Sequence, residues 1–170
     1  TLVPKDEKEL KTIIKQELEQ QGPDADLNHI DVSNITDMSW LFNSSRIKNI
    51  KIGEWDVSNV KTMSHMFAYC HDLNTDLSKW NVSNVTNMNC MFTECFEFES
   101  DLSKWNVSKV TNMEGIFNWC SHLDCDLSNW DVSKVKYYKS SFALCPKMKG
   151  KTPKFKKIQV TERLHISSNT

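Results

Sequence analysis

The protein has 170 residues, with 21 Lys and Arg against 22 Asp and Glu and a formal net charge of −1. That is the size of one domain, and so even a balance supplies no global field that would draw the molecule to nucleic acid or an anionic membrane. No run of 18 apolar residues occurs, so no segment reads as a transmembrane helix.

In chain order, Thr1-Leu-Val-Pro4 shows no basic segment followed by an apolar core, the mark of a signal peptide. The chain does not begin with Met, so export is neither shown nor excluded. Residues 5 to 20 carry Leu10, Ile13, Ile14 and Leu18 at helical spacing with Lys and Glu on the other faces, which predicts an amphipathic helix. Asp6 is placed to cap it with Glu9 in the box position, and Gln21-Gly22-Pro23 ends it. Residues 1–24 are accordingly expected to form a helical cap on the adjoining repeats.

From residue 25 the chain repeats itself with a period of 25. Trp55, Trp80, Trp105 and Trp130 fall in one column, and Val32, Val57, Val82, Val107 and Val132 in another. Met38, Met63, Met88 and Met113, then Phe42, Phe67, Phe92, Phe117 and Phe142, then Cys70, Cys95, Cys120 and Cys145 continue the register. A fixed period of this kind marks stacked units that bury their apolar sides against one another. Within a unit, Val85, Met88, Met91, Phe92 and Cys95 are spaced as one helical face, with Ser83 before them where an N-cap would stand. Asp101 to Val107 steps by two and three, which reads as a short strand. The expected fold is an α/β solenoid, a right-handed leucine-rich-repeat-like stack of about five strand–helix coils over residues 25–145, starting near 30, 55, 80, 105 and 130. Residues 146–170 read as a decayed, lysine-rich C-terminal cap in which Phe155 holds the Trp column and Ile158, Val160, Leu164 and Ile166 suggest an edge segment.

The run Trp-Asn-Val-Ser-Asn-Val-Thr-Asn-Met-x-x-Met-Phe-x-x-Cys at 80–95, with Asp-Leu-Ser-x-Trp at 101–105, resembles the BspA-type leucine-rich-repeat proteins of bacterial surfaces in their 25-residue variant. The resemblance covers roughly residues 5 to 145 and departs at Ile30, Tyr138 and the lysine-rich tail. It implies a surface protein or lipoprotein acting as a non-enzymatic adhesion or recognition module, outside the cell or on its surface. No site residue comes with it. Two other expectations stay open: an intracellular protein-interaction or inhibitor module, and a structural spacer of a longer surface protein.

Most residues with chemistry are repeated, and repetition favours scaffold. Asp76, Asp101 and Asp126 precede buried-type leucines, where a carboxylate accepts turn amides. The Trp column reads as core. Equivalent cysteines would stand roughly 9–10 Å apart if helices stack, beyond the ~7 Å reach of a disulfide, so they read as small buried hydrophobes, leaving Cys90 and Cys125 as surface thiols. Thr93, between columns, reads as surface. Cys120-Ser-His122-Leu-Asp-Cys125 lacks a second ligand pair for zinc, the five histidines sit beside no activated nucleophile, and no glycine-rich phosphate loop is present. No catalytic residue, metal or cofactor is expected. The informative positions are those that vary between columns, where packing does not fix the side chain. His65, Tyr69, Glu94, Glu114 and Trp119 are the candidate partner-binding residues, for a protein or a glycan.

One stretch breaks the charge balance. Between Lys134 and Lys157 lie nine lysines and no acidic residue, so the remainder carries 12 basic against 22 acidic groups, or −10. Lys147, Lys149, Lys151, Lys154, Lys156 and Lys157 are therefore candidates for binding a polyanion, against the plainer reading that like charges keep stacks from joining end to end.

Overall fold

The structure, a computed structural model, describes residues 1–157. It keeps the period and discards the expected elements. Among the described residues the α-helix is α1 (Glu7–Gln21), joined by a single 3-10 turn at Pro146–Met148. There is no sheet there either, only six isolated parallel bridges, four of them linking Asp37, Thr62, Asn87, Asn112 and Tyr137 in succession. The expectation of strand–helix coils is therefore wrong. Each 25-residue layer is a closed course of turns.

The reason lies in the backbone of the segment that reads as helical. Cys90 (φ 51°) and Glu94 (φ 57°) sit in the left-handed region, which an α-helix of L-residues cannot contain. Met91, Thr93 and Cys95 donate to the carbonyls of Met88, Cys90 and Phe92, three residues back, at 3.0–3.2 Å. These are successive turns rather than the four-residue bonds of an α-helix. The alternate amides, of Met88, Cys90, Phe92 and Glu94, turn outward and donate to Asn112, Glu114, Ile116 and Asn118 in the next layer at 2.8–2.9 Å. Val85, Met88, Met91, Phe92 and Cys95 are still all buried. Overlapping turns bury residues at steps of three and four as a helix does, so periodicity alone does not separate the two.

The segment read as a strand is also made of turns. Asp101 Oδ1 accepts from the Ser103 amide at 2.9 Å, and Trp105 N–H donates to Leu102 O at 3.0 Å. Ser83 and its equivalents cap no helix. Their amides bond the Asp or Asn two residues earlier, as Ser83 N–H does to Asn81 Oδ1 at 3.1 Å.

Layers at 30–54, 55–79, 80–104, 105–129 and 130–154 stack with the columns superposed. The Phe column forms a ladder of rings 5.4–5.5 Å apart, and the indoles of Trp55 and Trp80 lie 6.4 Å apart. Polar atoms in these columns tie layers together. The Nε1–H groups of Trp55, Trp80, Trp105 and Trp130 donate to the carbonyls of Leu27, Ile52, Leu77 and Leu102 at 2.9–3.0 Å. The thiols of Cys70, Cys95, Cys120 and Cys145 donate to the carbonyls of Phe42, Phe67, Phe92 and Phe117 at 2.8–3.0 Å. All six cysteines are free. The column cysteines are more than small hydrophobes: each brings a second donor to a carbonyl that already accepts from the amide three residues on.

At the N-terminal end Asp6 caps α1 by accepting from Glu9 N–H at 2.8 Å, and Gly22 closes it at φ 80°. Such a cap contributes about 1 kcal/mol. Leu10 and Ile14 are buried, and Ile13 and Leu18 pack against the same core. Leu2 adds a bridge to Ile30. At the other end Phe155 stacks on Tyr138 at 4.7 Å. The expected roles of Ile158, Val160, Leu164 and Ile166 lie outside the described residues.

Candidate recognition surface

Every layer has two left-handed residues, four apart, in its turn segment. In the first position stand Trp40, His65, Cys90, Gly115 and Ser140, and in the second Ser44, Tyr69, Glu94, Trp119 and Leu144, all with φ between 51° and 64°. Only one of these ten is glycine, the residue that adopts such a backbone without steric cost. At Gly115 the reason is visible: a Cβ there would meet Cys90 Sγ at 3.0 Å. Elsewhere the chain carries large side chains at a conformational cost of roughly 1–2 kcal/mol each.

Many of them face water. Trp40 is 52% exposed, Tyr69 43%, Trp119 47% and Leu144 63%, in a molecule whose repeated tryptophans are 3–6% exposed. Of the residues singled out by variability, His65, Tyr69, Glu94 and Trp119 occupy these left-handed positions, and Glu114 is the exposed residue just before Gly115. The structure thus gathers all five onto one segment of successive layers.

Contacts run between layers on this surface. The His65 ring lies flat on Trp40, centroids 3.9 Å apart and planes within 4°, and its Nδ1 is 2.9 Å from Ser64 Oγ. Burial lowers the imidazole's pKa, which favours the neutral ring. His71 Nε2 is 3.5 Å from Glu94 Oε2, and the same ring stacks on Phe96 at 4.7 Å. Phe96 in turn meets Trp119 edge-on at 6.0 Å. Trp40, His71 and Phe96 belong to the surface too: the sequence marks the loops that begin at His71 and Phe96 as variable, and passes over Trp40. Aligning the first layer with the others is the signal that finds Trp40, since it shares the column of His65.

The remaining sequence candidates fall elsewhere. Lys147, Lys149, Lys154, Lys156 and Lys157 are exposed. Lys151 is half-buried and donates to Asp124 Oδ1, holding that carboxyl below its ordinary pKa with a smaller contribution from Lys147. Lys151 is therefore engaged within the molecule. Cys125, expected at the surface, is buried, and so is Thr93, whose hydroxyl donates to Gly115 O at 2.8 Å. Asp76, Asp101 and Asp126 accept from the amides of Ser78, Ser103 and Ser128 at 2.9–3.0 Å, and hydrogen bonds from those serines lower their pKa values. No group of three His, Cys, Asp or Glu converges on a metal position among the described residues, and no described helix is long and apolar enough to cross a membrane.

Two stretches, residues 11–117 and 94–169, match the profile of a family described as a Mycoplasma protein of unknown function. No curated protein matches the chain.

Proposed function

The chain belongs to that family, DUF285, and from this premise we propose that it is a non-enzymatic recognition module displayed outside the cell or on its surface, with the left-handed strip as its binding face. One observation carries the reading. Large exposed side chains, Trp40, Tyr69 and Trp119, occupy backbone positions where glycine would cost least. Strain retained at exposed, variable positions marks side chains kept for contact with something else. Aromatic groups with a wet edge supply large contact area at small entropic cost, for a protein surface or a sugar face. The resemblance to BspA-type surface proteins supports the location, and burial of the column thiols explains how free cysteines would survive an oxidising compartment.

The test uses the full chain and a Trp40→Ser/Tyr69→Ser/Trp119→Ser variant, on a glycan array and on intact host-type cells. The proposal expects binding by the wild type and its loss in the variant with the melting temperature unchanged. Absence of wild-type binding, or equal binding by both, overturns it.

A further inference from the structure

The left-handed strip changes sign along the stack. In the three middle layers, the stretch from just before the first left-handed residue to just before the Asp column covers residues 64–75, 89–100 and 114–125. It holds Asp72, Glu94, Glu97, Glu99, Glu114 and Asp124 and no Lys or Arg. The same stretch holds Arg46 and Lys48 in the first layer, residues 39–50, and Lys139, Lys147 and Lys149 in the fifth, residues 139–150, with no acid in either. The Asp column that follows is partly neutralised by Lys79 and Lys104. Tyr69 and Trp119, both about half exposed, bracket the acidic section, and Phe96 lies between them, edge-on to Trp119. We infer that the partner of the strip is a basic, arginine-bearing segment of another protein, seated on layers two to four; the inference rests on the strip being the binding face.

The side chains present here fix the chemistry of the occupant. Glu94 and Glu97 lie 3.5 and 3.8 Å from the imidazoles of His71 and His122. Glu99 Oε1 accepts from Asn74 Nδ2 at 3.4 Å. Of the six acids, Asp124 alone meets a lysine among the described residues, Lys151. The surface is therefore rich in carboxylate acceptors and aromatic faces and poor in cationic donors, so the occupant has to bring both donors and positive charge. A guanidinium does this with one group. It forks two N–H donors onto a carboxylate and lays its plane on an indole or phenol ring.

The sign change also limits where such a segment sits. A basic chain is drawn to the middle layers and repelled at both ends of the strip, by Arg46 and Lys48 on one side and Lys139 on the other. It is centred on layer three, where Glu94, Glu97 and Glu99 stand. A neutral glycan would supply hydroxyl donors but would leave the acids uncompensated, and an acidic partner would be repelled.

The experiment measures fluorescence anisotropy of labelled Gly-Arg-Ser, Gly-Lys-Ser, Gly-Gln-Ser and Gly-Glu-Ser repeat peptides with the full chain. The arginine peptide should bind, the lysine peptide more weakly, and the glutamine and glutamate peptides not at all. Binding should fall steeply with salt, because exposed charges are screened. Glu97→Gln/Glu99→Gln and Trp119→Ser should each weaken the arginine peptide by on the order of tenfold with melting temperatures unchanged. Glu19→Gln/Glu54→Gln, which removes the same charge elsewhere, should leave binding unchanged. Equal weakening by both double variants would reduce the effect to net charge and overturns the inference. Self-association of the chain that the Glu97→Gln/Glu99→Gln variant loses would replace the partner by the lysine stretch of a second copy, and overturns it too. If the arginine peptide fails while glycan or cell binding persists and is lost in the Trp40→Ser/Tyr69→Ser/Trp119→Ser variant, this inference falls and the strip remains the binding face. If the wild type binds none of these, both readings fall.

Discussion

Glu94 and Phe92 stand two residues apart in the same turn segment and answer to different physics. Phe92 is fully buried between Phe67 and Phe117, with rings 5.5 Å away on either side. Phe92→Ala should cost about 3–5 kcal/mol in urea unfolding, the range for a truncated buried Phe. Glu94 is left-handed at φ 57°. Glu94→Gly should leave stability unchanged or raise it by up to about 1 kcal/mol, since relief of the left-handed cost is partly offset by glycine's freedom in the unfolded chain. Glu94→Val should cost more than about 1 kcal/mol, a β-branched residue being the poorest fit to that backbone. A loss in Glu94→Gly as large as that in Phe92→Ala would show that the turn assignment is wrong.

The cysteines set a pH limit. Burial pushes the Cys70 thiol up to about 12 from an ordinary 9.0, and pushes Cys95 and Cys120 well above it. The folded state thus holds these protons more tightly than the unfolded chain does. The stability they contribute is fully present below pH 9.0 and is lost as pH rises towards 12. The aspartates act in the opposite sense. Hydrogen bonds from the turn serines lower Asp76 and Asp101 below 3.8, so their contribution is present above that pH and lost as pH falls below it. Chemical denaturation across pH should show a plateau bounded on the alkaline side by thiol ionisation. A Cys95→Ala variant should lose about 1 kcal/mol on the plateau, because Phe67 O loses the thiol's hydrogen bond while keeping that of the Cys70 amide. Thiol reagents at neutral pH should label native Cys90, which is half-exposed, and leave the column untouched.

At the scale of elements, the period and the interior are legible in the sequence. Trp80, Val82, Val85, Met88 and Phe92 read as core from their columns, and all are buried. The path of the chain between them is not legible. The signal that separates a helix from overlapping turns is the sign of φ, and here nine of the ten left-handed positions hold residues such as Trp, His, Tyr, Glu and Cys, with Gly115 alone carrying the residue that would announce it. The ten-residue set becomes readable as a surface only once the backbone places it. α1 is legible because its cap residues and its apolar stripe agree, with Asp6, Glu9 and Gly22 where helix ends need them. Far-ultraviolet circular dichroism should therefore report little more helix than the 15 residues of α1. A spectrum with a helix in every layer would restore the strand–helix coil.

For the whole molecule, register matters more than any single contact, because each layer meets only its neighbours. Deleting residues 80–104, one full layer, joins Trp105 to Lys79 and leaves every column intact. That variant should fold cooperatively with a lower melting temperature. Deleting 80–103 leaves Lys104 in the tryptophan column and shifts every later residue by one. It should fail to fold, as judged by loss of the cooperative melt and of amide protection. Equal behaviour of the two deletions would mean that the layers are held by something other than their shared register.

A stack of this kind has a quantised length. Since successive layers are joined by parallel backbone pairing, each whole layer gained or lost changes the axial dimension by a fixed step of about 4.8 Å, and no intermediate length is accessible. The Phe ladder repeats at every step, its 5.4–5.5 Å centroid spacing combining the axial rise with a sideways offset of each ring on the next. Trp40, Tyr69 and Trp119 belong to layers one, two and four, so they are marks on a ruler whose graduations the backbone sets. Duplicating a layer between Tyr69 and Trp119 would separate them by one more graduation without touching either residue. A bound molecule that spans both would register the change as a shift in the ligand length it prefers.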